Sequence, residues 1–310
     1  MSSYEAIKTA VSAAKRVLVI THVAPDGDAI GSLTAVGLAL DQLGKEAVLA
    51  CDDRIPERYQ FLAKADAVQT AVSGNPAYDL IFAVDCGDES RMGKVFEKLP
   101  RPLPPVVNVD HHVTNTRFGQ MNLVDGEATA TAEVLCDLLP ELGVRLTREL
   151  AVSLLTGIVT DTLGFRTVGV TAHTLKVAGR LIEAGADLPQ VTMMALTVKP
   201  LSTILLWRAG LNNMKLEDGL LWTTISKRER EATGYSTASS AGLVNLLGDT
   251  TEAAIASVLM EMDDGKVYVG FRCRPPYTVS ELALSLGGVG TTWPPVAPWT
   301  APWQTRRPWW

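Results

Sequence analysis

Only four histidines occur in the 310 residues, and two of them are adjacent. His111 and His112 follow Asp110, just past the apolar run Val106–Val109. His22 follows a second apolar run, Val17–Ile20, and leads into Asp26 and Asp28 with the spacing His-x3-Asp-x-Asp. Asp85 ends the run Leu80–Val84, and Asp161 closes the apolar stretch Leu154–Val159. Taken singly these residues are ordinary. A DGD sequence is usually a solvated turn, and a carboxylate at the end of an element is usually a cap. Taken together they are six oxygen and nitrogen donors: His22, Asp26, Asp28, Asp85, His111 and Asp161. Four carboxylates brought close repel one another and raise each other's pKa. Two divalent cations remove that repulsion. A mixed carboxylate and imidazole set suits Mn²⁺ first, with Mg²⁺, Co²⁺ or Fe²⁺ as alternatives. A cysteine-built zinc site is excluded, because Cys51, Cys86, Cys136 and Cys273 are scattered without a CxxC pair. Two such ions activate water and clamp a phosphate during in-line attack. The predicted chemistry is hydrolysis of a phosphoester or phosphoanhydride.

The elements around these residues explain how they could meet. Val17–Ile20, Ala47–Ala50, Leu80–Val84 and Val106–Val109 read as strands. Ile30–Leu43, Thr129–Leu142 and Arg148–Thr160 read as helices. Continuous apolar strands alternating with helices predict an α/β domain, a parallel sheet with helices on both faces. In such sheets ligands bind past the carboxyl ends of the strands, where THVAPDGD, DCGD and DHH all lie. A smaller α+β domain is predicted beyond residue 200. Its elements are a helix at Leu201–Asn213, a strand at Leu220–Ile225, a helix at Thr251–Met262 and a strand at Lys266–Arg272.

Composition narrows the class. The formal net charge is -6 and the sequence pI is near 5.3, which argues against a long nucleic-acid track needing a basic face. A substrate of a few nucleotides needs only a few phosphate contacts. No apolar run approaches about 18 residues, so no membrane-spanning helix is predicted. The first residues, MSSYEAIKTAVSAAKR, lack the apolar centre of a signal peptide. With the scattered cysteines this predicts a cytoplasmic protein.

The motifs HVAPDGDAIGS (22–32), VDCGD (84–88), VDHHVTN (109–115) and TGIVTDTLGFR (156–166) together resemble the DHH phosphoesterases. The likeness covers about residues 5–290. The pattern is most similar to the nanoRNase subgroup, bacterial oligoribonucleases that also remove phosphate from 3'-phosphoadenosine-5'-phosphate. VGFRCRPPYTVSELALSLGG (269–288) resembles that subgroup's C-terminal substrate-binding domain, DHHA1. The resemblance implies a catalytic domain over 1–185, a linker over 186–200 and a DHHA1 domain over 201–288. It implies that His22, Asp26 and Asp85 hold one metal, and that Asp28, Asp85, His111 and Asp161 hold the other. His112 would act on the scissile phosphate as a catalytic group, with Asp110 supporting the histidine pair. Arg272, Arg274, Gly287 and Gly288 would bind substrate. Cys273 stands where the family usually has serine. Asn115 is expected to fix the loop after the histidines, Cys86 to fill space and His173 to lie at the surface. Arg91 and Arg117 are candidates to reach a phosphate, but nothing in their spacing separates that from a solvated role.

Residues 289–310 break the pattern. The family continues into a glycine-rich loop ending in histidine, whereas no histidine follows His173 here. Five of the seven tryptophans lie at Trp293, Trp299, Trp303, Trp309 and Trp310, among prolines that block helix and strand alike. Two origins are open: a genuine aromatic arm, or an altered reading frame near codon 289, which the Trp/Pro/Arg bias favours. The second would leave the DHHA1 domain incomplete. The predicted partners are short RNA oligonucleotides or small nucleotides, with a homodimer compatible. Hydrolysis of cyclic di-AMP or pApA is the enzymatic alternative. A non-catalytic nucleotide-binding protein is the alternative from another class, disfavoured because all six donors are present.

Overall fold

A computed structural model describes residues 3–73, 77–237, 239–263, 265–274, 276–279 and 282. The chain divides into two compact units after Val198.

The first unit opens with α1 (Ser3–Ala13), β1 (Arg16–Ile20), α2 (Gly27–Gln42), β2 (Glu46–Ala50), β3 (Leu80–Val84), α3 (Gly93–Glu97) and β4 (Val106–Asp110). It continues through β5 (Met121–Val124), α4 (Thr131–Glu141), α5 (Arg148–Asp161), α6 (Ala172–Glu183) and α7 (Leu188–Thr192). The sheet runs β2-β1-β3-β4-β5 with every pair parallel. Alternate strand residues serve opposite faces. Val17, Val19, Phe82, Val84, Val107 and Val109 pack on one side with α2, α4 and α5. Leu18, Ile20, Ile81, Ala83 and Val106 pack on the other with Val95 and Phe96 of α3. Both faces are covered, as the apolar runs predict. Strand order reverses at β1, so the ends of β1 and β3 flank a switch point.

The helix pair α2 and α5 sits unusually close for a reason visible at two glycines. A Cβ at Gly31 would meet Ser153 O at 2.5 Å. A Cβ at Gly157 would run into the Asp28 carboxylate and the Ala132 methyl. Thr34 Oγ1 then hydrogen-bonds Ser153 Oγ at 3.0 Å across the pair. This approach carries Asp28 on α2 toward Asp161 at the end of α5.

Three readings of the sequence are corrected. β5 had no strand signal, being short and half-buried along its length. Residues 186–200 are not a free linker. Asp187 caps α7 by accepting Gln190 N at 3.0 Å, Pro189 sits in the first turn, where its missing N–H costs nothing, and Val191 and Ala195 enter the first core. The Ala-Asp-Leu-Pro that reads as punctuation is a helix start.

The second unit contains α8 (Leu201–Asn212), β6 (Lys215–Glu217), β7 (Leu220–Ile225), α9 (Lys227–Ala232), α10 (Leu243–Gly248), β8 (Ile255–Glu261) and β9 (Val267–Cys273). Its sheet runs β6-β7-β8-β9, with β7 and β8 parallel and the outer pairs antiparallel. Here lies the third correction: the helix predicted at Thr251–Met262 is strand β8. Ala256, Val258 and Met260 are fully buried on one face, and two neighbouring strands claim the backbone. Pairing overrides the helix propensity of Ala, Leu, Met and Glu. Among the described residues no helix is long and apolar enough to cross a membrane.

Candidate metal centre

The six candidate donors come from five elements and the turns beside them. His22 stands two residues past β1. Asp26 is the N-cap of α2, its Oδ1 accepting Asp28 N and Ala29 N at 3.1 Å each. Asp28 lies in the first turn of α2 and is fully buried. Asp85 follows β3 in the left-handed backbone region, φ 58°. Aspartate tolerates that region better than most residues. His111 follows β4, and Asp161 is the last residue of α5.

These side chains converge. The ligand atoms of His22, Asp26 and Asp85 lie within 4.8 Å of one another, and so do those of Asp28, His111 and Asp161. Asp85 joins the groups. Its Oδ2 is 3.4 Å from His22 Nε2, and its Oδ1 is 3.8 Å from His111 Nε2. His111 Nε2 is also 3.2 Å from Asp161 Oδ2. Both rings turn Nδ1 away, His22 to Val23 O at 2.8 Å and His111 to Ala128 O at 3.4 Å. A proton on Nδ1 leaves the Nε2 lone pair for a cation, the arrangement metal-binding histidines use. The donor set therefore fits one or two hard divalent ions.

Electrostatics lead to the same conclusion. Burial pushes the Asp28 carboxyl well above its ordinary value, and the Asp85 and Asp161 charges add to the effect. Burial likewise drives Asp161 up to about 6, against its hydrogen bond to His111. Burial also opposes ionisation of Asp85, yet the His22 hydrogen bond and charge, with His111 and His112 beyond, hold it below the usual carboxylate range. His22 rises to about 9, because Asp85 and Asp26 outweigh the burial of its ring. Burial of His111 is outweighed in the same way by Asp161 and Asp85. Clustered acids that retain protons, beside bases that gain them, are what a divalent cation replaces.

Comparison with known proteins places this geometry. The N-terminal domain of the DHH family matches residues 16–158. The bifunctional oligoribonuclease and PAP phosphatase NrnA of Thermus thermophilus is 34% identical over 275 residues, 88% of this chain and 81% of that protein. This chain belongs to the DHH family. The NrnA protein of Bacillus subtilis, with the same description, is 26% identical over 92% of this chain and 90% of its own length. Among solved structures, an exopolyphosphatase-related protein from Bacteroides fragilis shares the fold. Its TM-score is 0.82 at 20% identity, covering 91% of this chain and 86% of that one.

The DHH tripeptide itself holds two kinds of histidine. His111 faces the acids, whereas His112 turns Nδ1 to Asp110 Oδ1 at 2.8 Å. That contact, more than the charges around it, raises the His112 pKa. Asp110 is fully buried, and Asn115 Nδ2 donates to its Oδ2 at 2.5 Å. Asn115 also donates to Cys86 O at 3.0 Å. The result is a fixed carboxylate, an oriented imidazole and an Nε2 not engaged by Asp110.

The sequence reading missed Thr131. Its hydroxyl donates to Asp85 Oδ1 at 2.9 Å, and its backbone N donates to Asp28 Oδ2 at 2.6 Å. Ala132 N adds a bond to Asp28 Oδ1 at 3.0 Å. The first turn of α4 thus anchors two acids at once. The available signal was a threonine opening an apolar helical run.

The predicted substrate residues lie in the second unit. Arg272 and Arg274 are at the end of β9 and just past it, both half-buried. Arg274 Nη1 reaches Thr251 O at 3.4 Å. Gly287, Gly288 and the tail 289–310 lie outside the described residues. His173 is at the surface beside Asp137, Nε2 to Oδ2 3.2 Å.

Proposed function

We propose that this chain is a metal-dependent phosphoesterase that removes mononucleotides from very short RNA and phosphate from 3'-phosphoadenosine-5'-phosphate. The observation that carries the reading is 34% identity, over 88% of the chain, to a protein described as having both activities. The convergence of two donor groups on Asp85 supports it chemically. His22, Asp26 and Asp85 would hold one ion, and Asp28, Asp85, His111 and Asp161 the other. We assign Mn²⁺ to both, on the mixed carboxylate and imidazole donors. When bound, the ions supply charge for the phosphate and lower the pKa of water.

The residues of the chain do the rest. Asp85 holds both donor groups in register through its two oxygens. Asp28, anchored by α4, keeps α2 and α4 fixed relative to each other. His112, oriented by Asp110, delivers a proton to the leaving oxygen through Nε2. Arg272 and Arg274 bind a substrate phosphate through planar guanidinium groups. Residues 201–288 act as the substrate-binding domain. The four free cysteines suit a reducing compartment, and we assign the protein to the cytoplasm.

The test is a substrate panel with Mn²⁺: 5-mer RNA, 3'-phosphoadenosine-5'-phosphate, pApA, cyclic di-AMP and pyrophosphate. Release of mononucleotides from the 5-mer and of phosphate from the second substrate is expected. Turnover of cyclic di-AMP alone would reassign the substrate, and turnover of pyrophosphate alone would remove the nucleotide reading. Failure on all five with metal bound would leave a binding protein.

A further inference from the structure

Strands β4 and β5 are joined by residues 111–120, a loop that carries His112 and contains neither helix nor strand. Asn108, on β4, is fully buried. It stands opposite Ala83 of β3 and Asn122 of β5. A buried amide costs free energy unless its polar atoms are paired. Asn108 Nδ2 is paired twice, donating to Asn115 Oδ1 at 3.1 Å and to Asn122 Oδ1 at 3.4 Å. Asn108 Oδ1 meets no donor among the described residues. Backbone groups settle which way each partner amide points. Asn115 Oδ1 accepts Arg117 N at 2.6 Å, and Asn115 Nδ2 donates to Cys86 O at 3.0 Å. Asn122 Oδ1 accepts Gly119 N at 3.1 Å, and Asn122 Nδ2 donates to Gly119 O at 2.6 Å. Asn108 must therefore present Nδ2 to both oxygens. Turning its amide over would set oxygen against oxygen twice.

The unpaired Oδ1 is the cost of a contact that the loop cannot make for itself. Arg117 N and Gly119 N belong to the loop and move with it. Asn108 belongs to β4, which is paired on both sides by β3 and β5. Its amide therefore ties Asn115 Oδ1 to the sheet. On its other side Asn115 Nδ2 donates to Asp110 Oδ2 at 2.5 Å, and Asp110 Oδ1 lies 2.8 Å from His112 Nδ1. A continuous series of hydrogen-bonded side chains runs from Asn108 through Asn115 and Asp110 to the His112 ring.

We propose that Asn108 is a positioning residue for proton transfer by His112: it holds Asn115 against the sheet, and through Asp110 it sets the angle of the His112 ring. The proposal rests on the phosphoesterase reading above, which gives His112 its task. It accounts for a fully buried amide in an otherwise apolar strand and for the oxygen left unpaired there. A working group on a loop needs its supporting side chains anchored to a rigid element, and Asn108 supplies that anchor from β4.

The experiment uses the full chain with Asn108→Val, alone and combined with His112→Gln. Valine suits a central strand, and both Oδ1 acceptors keep their backbone donors. On 5-mer RNA the single variant should lose about 10-fold in kcat, the low end for a group that supports a working histidine, with KM within about twofold. In the His112→Gln background the same change should cost less than about twofold, because the ring it positions is gone. An unchanged kcat overturns the proposal, and so does an equal loss in both backgrounds, since Asn108 would then act elsewhere. The second readout is the spectrum of protein labelled with ¹⁵N only at its four histidines, recorded with Mg²⁺. The His112 ring signals, assigned by their loss in His112→Gln, should shift or broaden in Asn108→Val while those of His22 and His173 stay in place. Unmoved His112 signals overturn the proposal. Movement of all four rings with a fall in Tm also overturns it, because Asn108 would then hold the fold and not the ring. If Asn108→Val shows no melting transition, Asn108→Ala is judged by the same criteria. A wild-type protein that cleaves none of the five substrates would defeat the proposed function, and the ring signals alone would then decide whether Asn108 positions His112.

Discussion

Asp28 and Asp85 in the first unit are almost sealed, at 0% and 3% exposure. Their oxygens are held by the first turn of α4, by Ser32 and by histidine rings. Arg274 in the second unit is half-buried, and its Nη1 reaches Thr251 O at a long 3.4 Å. One set is fixed by backbone and side-chain donors at helix starts beside a parallel sheet, and the other extends from the end of an antiparallel strand. Groups that must meet at sub-ångström tolerance need the first kind of support. Groups that follow a flexible polyanion do not. On this view the first unit sets the rate and the second sets affinity, which mutation can contradict.

The largest effect is expected at Asp85→Asn. Asparagine accepts the left-handed backbone as readily as aspartate, so the turn survives and only the shared charge goes. Both donor groups lose a ligand. Activity should fall by more than the about 100-fold that supporting hydrogen bonds are worth, measured as kcat on 5-mer RNA with Mn²⁺. A variant within tenfold of wild type would show that the two groups do not share Asp85. His112→Gln should cost kcat about 100-fold, the lower range for a lost proton donor, while KM stays near wild type. If KM rises instead, His112 binds substrate and the first unit is not purely a rate-setting region.

The metal itself gives a prediction with a defined sign. Asp28, Asp161, His22 and His111 all have raised pKa values, with Asp161 near 6 and His22 near 9. At the lower end of that window His22 and His111 therefore hold a proton and Asp161 is about half protonated. A cation must displace those protons, so affinity for Mn²⁺ grows as pH rises from 6 toward 9. Ligand that binds only the folded state raises Tm with its affinity. The Tm increment from a fixed Mn²⁺ concentration should be larger at pH 8 than at pH 6. Equal increments would mean that these groups do not lie where the ion binds.

Much of the first unit was legible from sequence, and for definite reasons. Four of its strands are continuous apolar runs because both faces are covered, and each chemical motif follows a strand or helix end. Asp26, Asp85 and Asp161 could be read as candidates only together, from their shared place at the ends of elements. Thr131 could not, since a threonine before an apolar run normally only starts a helix. Gly31 and Gly157 were also silent. Their role is the absence of a Cβ where two helices meet, and a single sequence does not show which glycines face another backbone. In the second unit β8 reads as a helix, because Ala, Leu, Met and Glu carry that propensity. Only the pairing with β7 and β9 makes it a strand.

The smallest effect tests the second unit. Arg274→Ala removes a side chain whose contact to Thr251 O is long, 3.4 Å, so stability should change by less than about 0.5 kcal/mol. If the arginine binds a phosphate, KM should rise about tenfold or more with kcat nearly unchanged, the scale of one charged hydrogen bond. A fall in kcat with KM fixed would mean the contact forms only in the transition state. Arg274 would then belong functionally with Asp85 and His112, despite its loose support. The division between a rigid rate-setting unit and a looser binding unit would fail, and the second unit would have to be held as tightly during turnover as the first.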